Sequence, residues 1–330
     1  MVAGAASLLA ICVSLLLLAC EGSPLAPRAG LPEYRELATR LVPGPARLDV
    51  AGGNLLVSRT DLALDTQLGQ FSVGAVWNSA TRRWLWSFDD IAYANGSFSD
   101  ATGAEHAIGS LAPGTAIPGT VWVKVSQFGQ SGPNRVKTKG GLEYTFTTAG
   151  RPLAIRWASS PNPSLRFTQT LQGDGLLHTS AIEQCLVAPS GCHPVFTIHY
   201  DSSGRVREIA DRAQRRARFS YDGSGALVTA RDGLDLAADL PGYRYEYRGG
   251  DLTAITNSEG ERVEYAYDSA GRLLRVTQIG DGNPSRAFSY RGRNGTTPYR
   301  TIATDPFGSV KTYRYDAEYQ LLAVEDAALA

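Results

Sequence analysis

The chain repeats one short word. FTIHYDSSGRVREI from Phe196, ARFSYDGSGALVTA from Ala217, YRYEYRGGDLTAI from Tyr243, VEYAYDSAGRLLRVT from Val263 and KTYRYDAEYQLLAV from Lys311 share one pattern, and YTFTTAGRPLAI from Tyr144 is a degenerate copy. With Tyr200, Tyr221, Tyr247, Tyr267, Tyr290 and Tyr315 as markers, the spacing is roughly 20 to 26 residues, a period that signals stacked supersecondary units. In Val263 to Thr277, Tyr265 and Tyr267 fall on one face of an extended strand. Asp268 can open a type I turn, Gly271 supplies its left-handed position, and Leu273, Leu274 and Val276 begin the return strand. A lone two-stranded hairpin is marginal in water, so each unit needs neighbours. The expected fold is all-β: an array of antiparallel hairpins forming a curved open sheet or partial shell, preceded by a strand-rich N-terminal block.

Tyr267, Asp268, Gly271, Arg272 and Leu273 closely resemble the YD repeat of RHS-type proteins, as do Tyr200, Asp201, Gly204 and Arg205. Tyr221, Asp222 and Gly225 keep the word without its arginine; Tyr247 is followed by Gly249 to Leu252, again without it; and Tyr315-Asp316 leads to Glu318-Tyr319 in place of Gly-Arg. A second resemblance lies upstream. Val50, Gly53, Asn54, Leu55, Thr60, Asp61 and Leu62, followed by Trp77-Asn78-Ser79, are similar to the block that precedes the repeats in that family. The two resemblances stand in family order. They imply a shell-like or surface-interaction protein, because long arrays of this family coil around a toxic C-terminal domain or engage cell-surface partners.

At 330 residues there is room for one large or two ordinary domains, and 32 basic against 32 acidic side chains give no reason to expect a nucleic-acid partner. Val2 to Ala19 reads as a signal peptide (residues 1–19), and Leu17-Leu18-Ala19-Cys20 resembles the lipobox of bacterial lipoproteins. That resemblance implies a lipidated Cys20, a membrane anchor, and, with Glu21 after it, passage to the outer membrane. An uncleaved transmembrane anchor is the alternative, since about eighteen apolar residues nearly span a bilayer. No Lys or Arg stands in Met1 to Ser7, a departure from the usual signal pattern. Residues 20–47, rich in proline, read as a tether with at most a short helix across Glu33 to Leu41.

Residues 48–134 form the N-terminal-like β region, with strands expected at Asn54 to Thr60 and Gln70 to Trp77, a turn at Asn78 to Arg83, and an aromatic face from Trp84, Trp86 and Phe88. Ile91 to Gln130 is expected to hold long loops and one strand at Thr120 to Ser126. Residues 135–330 form the array, interrupted by an irregular insertion at 159–194 that carries Cys185 and Cys192. In an exported chain Cys12 is removed with the signal and Cys20 is lipidated, which leaves these two to pair. The loop is short, and chain entropy assigns the bond roughly 2.5 kcal/mol. The alternative is a metal site of the two cysteines with His193 and His199.

Little else suggests chemistry. The histidines are His106, His178, His193 and His199, and none lies in a nucleophile-elbow, metalloprotease or phosphate-loop motif. Glu105-His106 and His199 with Asp201 could be acid-base pairs, and Ser224 could be a nucleophile, but repeat geometry accounts for Asp201 and Ser224. Asp305-Pro306-Phe307-Gly308 resembles the word at which toxin-bearing relatives release their cargo, yet its position before Lys311 reads as an inter-repeat turn. No cofactor or metal is expected. Tyr243, Tyr245, Tyr247, Tyr265, Tyr267, Tyr313 and Tyr315 either stack against sugars on an exposed sheet or form cross-strand ladders. Arg205, Arg272 and Arg275 are expected to be solvated or paired. The sequence therefore points to a non-catalytic exported structural or interaction protein, with a carbohydrate-binding module as the alternative and a hydrolase using His106 or His199 behind it. Lys311 to Val324 is expected to offer a sheet edge for self-association or an envelope partner.

Overall fold

The computed structural model describes residues 46–66, 68–117, 120–126, 133–160, 162, 164–185, 191–292, 299–316 and 321–327. The signal segment, Cys20 and the tether up to residue 45 lie outside these, as do 186–190 and Glu318-Tyr319. Strands make up 60% of the described residues and helix 2%.

Three antiparallel sheets account for the strands. A four-stranded meander comes first: Ala46–Asp49, Asn54–Thr66, Gly69–Asn78 and Arg83–Trp86. Its long hairpin carries a bulge between Thr60 and Leu62, so the strand expected to stop at Thr60 runs on to Thr66. The Asn54 side chain accepts from Ser79 Oγ and Ala80 N, and Ser79 Oγ accepts from Leu55 N, fixing the Gly-Asn-Leu and Trp-Asn-Ser words side by side. A three-stranded sheet, Ala92–Ala94, Ser97–Ser99 and Glu105–Ala107, occupies the region expected to be loop. Alternating small residues there gave little periodic signal, but Tyr93 and Phe98 are fully buried and anchor it with Ile108, Trp122, Val136 and Phe146.

The third sheet has eighteen strands in chain order, from Trp122–Lys124 to Leu321–Ala327. It is open: Leu321–Ala327 pairs with Val310–Tyr315 alone, and Trp122–Lys124 with Asn134–Thr138 alone, among the described strands. The stretch 159–194, expected to interrupt the array, instead supplies regular strands at Leu165–Leu171 and Leu177–Cys185 and part of Cys192–Tyr200. Bulges at Thr168/Gln169 and Ile182/Glu183 break the alternation there, which hid the strands from a period-2 reading. A short helix, Gly233–Ala237, capped by Asp232 and Asp235, accounts for the longest interval between tyrosine markers.

Alternation sets which face is buried. In Arg262–Tyr267, Val263 and Tyr265 are buried while Glu264 and Ala266 are exposed. Val263, Tyr245, Tyr265, Phe219 and Phe288 join Leu48, Val57, Trp77 and Phe88 of the first sheet in one core. The first sheet thus covers the tyrosine face of the array. Of the two readings of these rings, the burial goes against the alternative of an exposed sugar-stacking face: Tyr245, Tyr265, Tyr313 and Tyr315 are at most 5% exposed. Within this core Arg59 Nε meets Asp61 at 2.6 Å, with its guanidinium over Trp84, Trp86 and Phe219 at 4.8 to 5.4 Å.

Candidate binding cleft

The YD word is a self-contained staple. Asp268 Oδ1 accepts the N–H groups of Ala270 and Arg272, both at 2.9 Å, and Oδ2 accepts Arg272 Nε at 2.8 Å. Gly271 donates to the Asp268 carbonyl from a φ of +77°. Asp201, Gly204 and Arg205 repeat this arrangement, and Asp222 does so with Ser224 and Ala226. Asp305 accepts from Phe307 and Ser309, with Gly308 at φ +86°, so Asp305-Pro306-Phe307-Gly308 is built as the same turn.

Each staple also reaches its neighbours. The hydroxyls of Tyr200, Tyr221, Tyr247, Tyr267 and Tyr290 donate at 2.6 to 2.9 Å to the carbonyls of Thr179, Val206, Leu227, Leu252 and Leu273 respectively, always one unit back. Burial holds all five phenols above their usual range, which keeps them protonated as donors. Forward, the guanidinium of Arg205 lies 4.9 Å over Tyr221 and that of Arg272 4.8 Å over Tyr290. These two arginines are therefore paired and stacked rather than solvated, while Arg275 is exposed. Tyr315 belongs to the core; Asp316 is described, but the turn after it is not.

A cleft of about 610 Å³ lies where the first sheet meets these turns. Trp84 and Trp86 line it from the first sheet, and Tyr200, Arg205, Tyr221 and Tyr247 from the array. The two tryptophans reach it because they alternate with buried Leu85, and Trp84 Nε1 donates to Tyr247 Oη at 2.9 Å. At one end His178 is clasped between carboxylates, with Nδ1 2.5 Å from Asp89 and Nε2 2.8 Å from Asp174. Asp89 also accepts from Thr179 N at 3.1 Å and faces Arg151 at 3.7 Å. Burial pulls the His178 pKa down, but the bonds to Asp89 and Asp174 outweigh it and raise the imidazole above its ordinary value. Burial raises Asp90, only partly offset by the Trp86 N–H at 2.6 Å.

Among the described histidines, none stands in the cleft with a free ring nitrogen. His178 has both ring nitrogens engaged and no free acceptor for a substrate proton. His106 is buried beside Phe98, with Nε2 3.3 Å from Asp100. His199 is exposed opposite Glu208 and does not line the cleft, and His193 pairs across the sheet with Gln184. Cys185 and Cys192 are joined to each other, so neither supplies a thiolate to the alternative metal set. The Asp89–His178–Asp174 clasp was not foreseen, because Asp89 lies in the turn after Arg83–Trp86, 89 residues from His178. The carboxylate pair closing the aromatic strand was its one trace in the sequence.

Comparison with known proteins bears on the repeat. The family model described as RHS Repeat matches residues 200–235 and 248–284. Double-stranded DNA deaminase toxin A of Burkholderia cenocepacia (strain H111) is 27% identical over 128 residues, covering 38% of this chain and 8% of that protein. Among solved structures, TcdB2-TccC3 without its hypervariable C-terminal region is similar with a TM-score of 0.38 at 11% identity, over 84% of this chain and 17% of that one. The Photorhabdus luminescens Tc holotoxin pore is similar with a TM-score of 0.37 at 12% identity, over 78% and 15%. This chain thus spans under a fifth of each relative. Both matched segments begin at a tyrosine turn or one residue beyond it, and the staple at those turns recurs along the open sheet: the chain carries RHS/YD repeats.

Proposed function

We propose that this RHS/YD-repeat chain is a non-catalytic scaffold of the cell envelope, related to toxin shells but filled rather than hollow. The observation that carries this reading is the single core formed by the first sheet and the tyrosine face, which leaves that face no room for cargo. The turn aspartates, arginines and tyrosines support it, since they are spent on one another. The partner surface is the open strand Leu321–Ala327, where Leu322 is 59% and Val324 45% exposed. Anchorage is through a lipidated Cys20 in the outer membrane. Light scattering coupled to gel filtration tests the interaction role: wild type should self-associate or capture an envelope partner, and Leu322→Lys should reduce both. A wild type that stays monomeric at high concentration, with no crosslinked envelope partner, overturns it. Palmitate labelling that persists in Cys20→Ala overturns the anchor.

The cleft favours a second reading, binding of a neutral saccharide. Partly buried Trp84 and Trp86, which carry Arg59 over one face, line the cleft beside carboxylate and hydroxyl groups of Asp90 and Ser224. Retention on immobilised glycans, lost in Trp86→Ala with the fold intact by circular dichroism, would support it. No retention on any neutral glycan would remove it.

A further inference from the structure

Over much of the outer face of the array, arginine is answered by glutamate. Arg156 and Arg135 meet Glu143, Arg166 meets Glu183, Arg216 and Arg218 meet Glu208, and Arg262 meets Glu246 and Glu264. Toward the C-terminal strands this stops. Arg291 in Ser285–Arg291 is directly opposite Arg300 in Tyr299–Thr304, which is directly opposite Arg314 in Val310–Tyr315. The buried face of these strands is marked by Phe288, Thr301 and Tyr313, so by alternation the three arginines share the other face. Like charges directly opposite one another on a sheet are destabilising. Among the described residues the row is answered at Arg314, where Glu325 lies 3.1 Å away. Arg291 and Arg300 have no ion pair among the described residues, and Arg300 Nε is buried without a hydrogen-bond partner. A donor of that kind calls for an acceptor.

A cavity of about 200 Å³ opens beside the pair, lined by Arg291 and Arg300 together with Arg272, Tyr290, Tyr299 and Gly52. The Arg272 charge is already held by Asp268 at 2.7 Å. Arg291 and Arg300 border this cavity from the opposite face of the strands whose Tyr290 and Tyr299 line it on the core side, so two guanidinium forks on adjacent strands are left at its edge with no carboxylate among the described residues. Forks of this kind pair with the oxygens of tetrahedral oxyanions, two parallel N–H groups to two oxygens. We infer that Arg291 and Arg300 form a binding site for a phosphate or sulfate group, either as the free ion or as the head of a larger molecule.

The experiment uses the purified mature chain. Inorganic phosphate and inorganic sulfate are titrated calorimetrically against chloride at matched ionic strength, and phosphatidylglycerol vesicles are compared with phosphatidylcholine vesicles in a flotation assay. Wild type should bind at least one oxyanion probe. Arg300→Gln and Arg291→Gln should each weaken that binding about ten-fold or more, the range for losing a charge-assisted bond. Arg300→Lys, which keeps the charge without the fork, should fall between. Arg166→Gln, whose arginine is paired with Glu183, should bind as wild type. Variant-sensitive binding of the free ions places the site on a soluble ligand, and variant-sensitive binding of anionic vesicles alone places it on a lipid head group. Absence of any probe binding that Arg291→Gln or Arg300→Gln weakens overturns the inference, including the case where those variants merely raise the thermal midpoint by relieving repulsion.

Discussion

Gly53 and Gly271 occupy the same backbone region, at φ +71° and +77°, but in different surroundings, and alanine at each separates two costs. Around Gly271 a Cβ meets nothing within 4 Å. Gly271→Ala should therefore pay only for the left-handed conformation, about 1 to 2 kcal/mol, less about 0.4 to 1 kcal/mol returned by a stiffer unfolded chain. At Gly53 a Cβ would lie 2.6 Å from Arg272 Cβ and 2.9 Å from Tyr290 Cζ. Arg272 Cβ is fixed to the backbone and cannot swing aside, and the Gly53 carbonyl accepts the Leu273 N–H at 2.9 Å, so the two segments cannot part without losing that bond. Overpacking adds roughly 1 to 3 kcal/mol. Gly53→Ala should thus cost about 2 to 4 kcal/mol, against about 1 kcal/mol for Gly271→Ala, both read from urea titrations monitored by tryptophan fluorescence. Equal costs would show that the first sheet does not press on the Arg272 turn, and the account of a single core would fail with it.

Other outcomes follow from the same contacts. Tyr267→Phe should cost about 1 kcal/mol through the lost bond to the Leu252 carbonyl, whereas Tyr265→Phe, whose buried hydroxyl has no hydrogen-bond partner, should cost less or stabilise; urea midpoints in the opposite order would contradict this. At Asp201 and Asp268 burial pushes the carboxyl up, but bonds from backbone N–H groups and from Arg205 or Arg272 outweigh it and hold the pKa below the usual value. Their contribution is present above the unfolded carboxylate pKa of about 4 and lost as pH falls through the depressed value, so acid titration of Asp268→Asn should show a shallower loss than wild type. His178 has the opposite sign. Its raised pKa stabilises the clasp fully below about pH 6.5 and the gain is lost as pH rises through the folded value, a dependence His178→Gln should abolish. Non-reducing peptide mapping should recover Cys185 linked to Cys192, and free thiols in native protein would refute the pairing.

What could be read from the sequence was local. The turn at Asp268 to Gly271 needs only residues within five positions of one another, and each of its bonds spans four residues or fewer. The hairpins were equally legible, because Val263 and Tyr265 alternate with Glu264 and Ala266. The strands at 165–185 were not, since two bulges shift the face in mid-strand and defeat a fixed period. The destination of the tyrosine rings was also hidden: alternation says that they share a face, not what covers it. The clasp needed Asp89 against His178, and the row of arginines needed the register Arg291 to Arg300 to Arg314, which crosses two turns of different length. Pairwise facts of that range have no signature in a single chain.

The two kinds of contact have different consequences for cooperativity. Tyrosine hydroxyls and stacked arginines join each unit to its neighbour, the coupling expected of a quasi-one-dimensional repeat, which alone would let the ends fray. The first sheet adds links of another range: Thr301 Oγ1 donates to the Val50 carbonyl, Leu273 N to Gly53, Arg215 to Ala63, and Thr179 N to Asp89. The meander and the turn that follows it therefore bond to the array at places spread between residues 179 and 301, with Trp84 to Tyr247 and Arg82 to Asp251 among them. Opening any of these units exposes part of the meander's own core, including the Arg59–Asp61 pair, whose two charges would lose their enclosure of Trp84, Trp86 and Phe219. The meander thus converts a row of nearest-neighbour hairpins into a body whose middle units melt together. The C-terminal strand Leu321–Ala327 is held by less: it pairs with Val310–Tyr315, and of its side chains Leu321 packs against this core while Leu322 and Val324 are exposed.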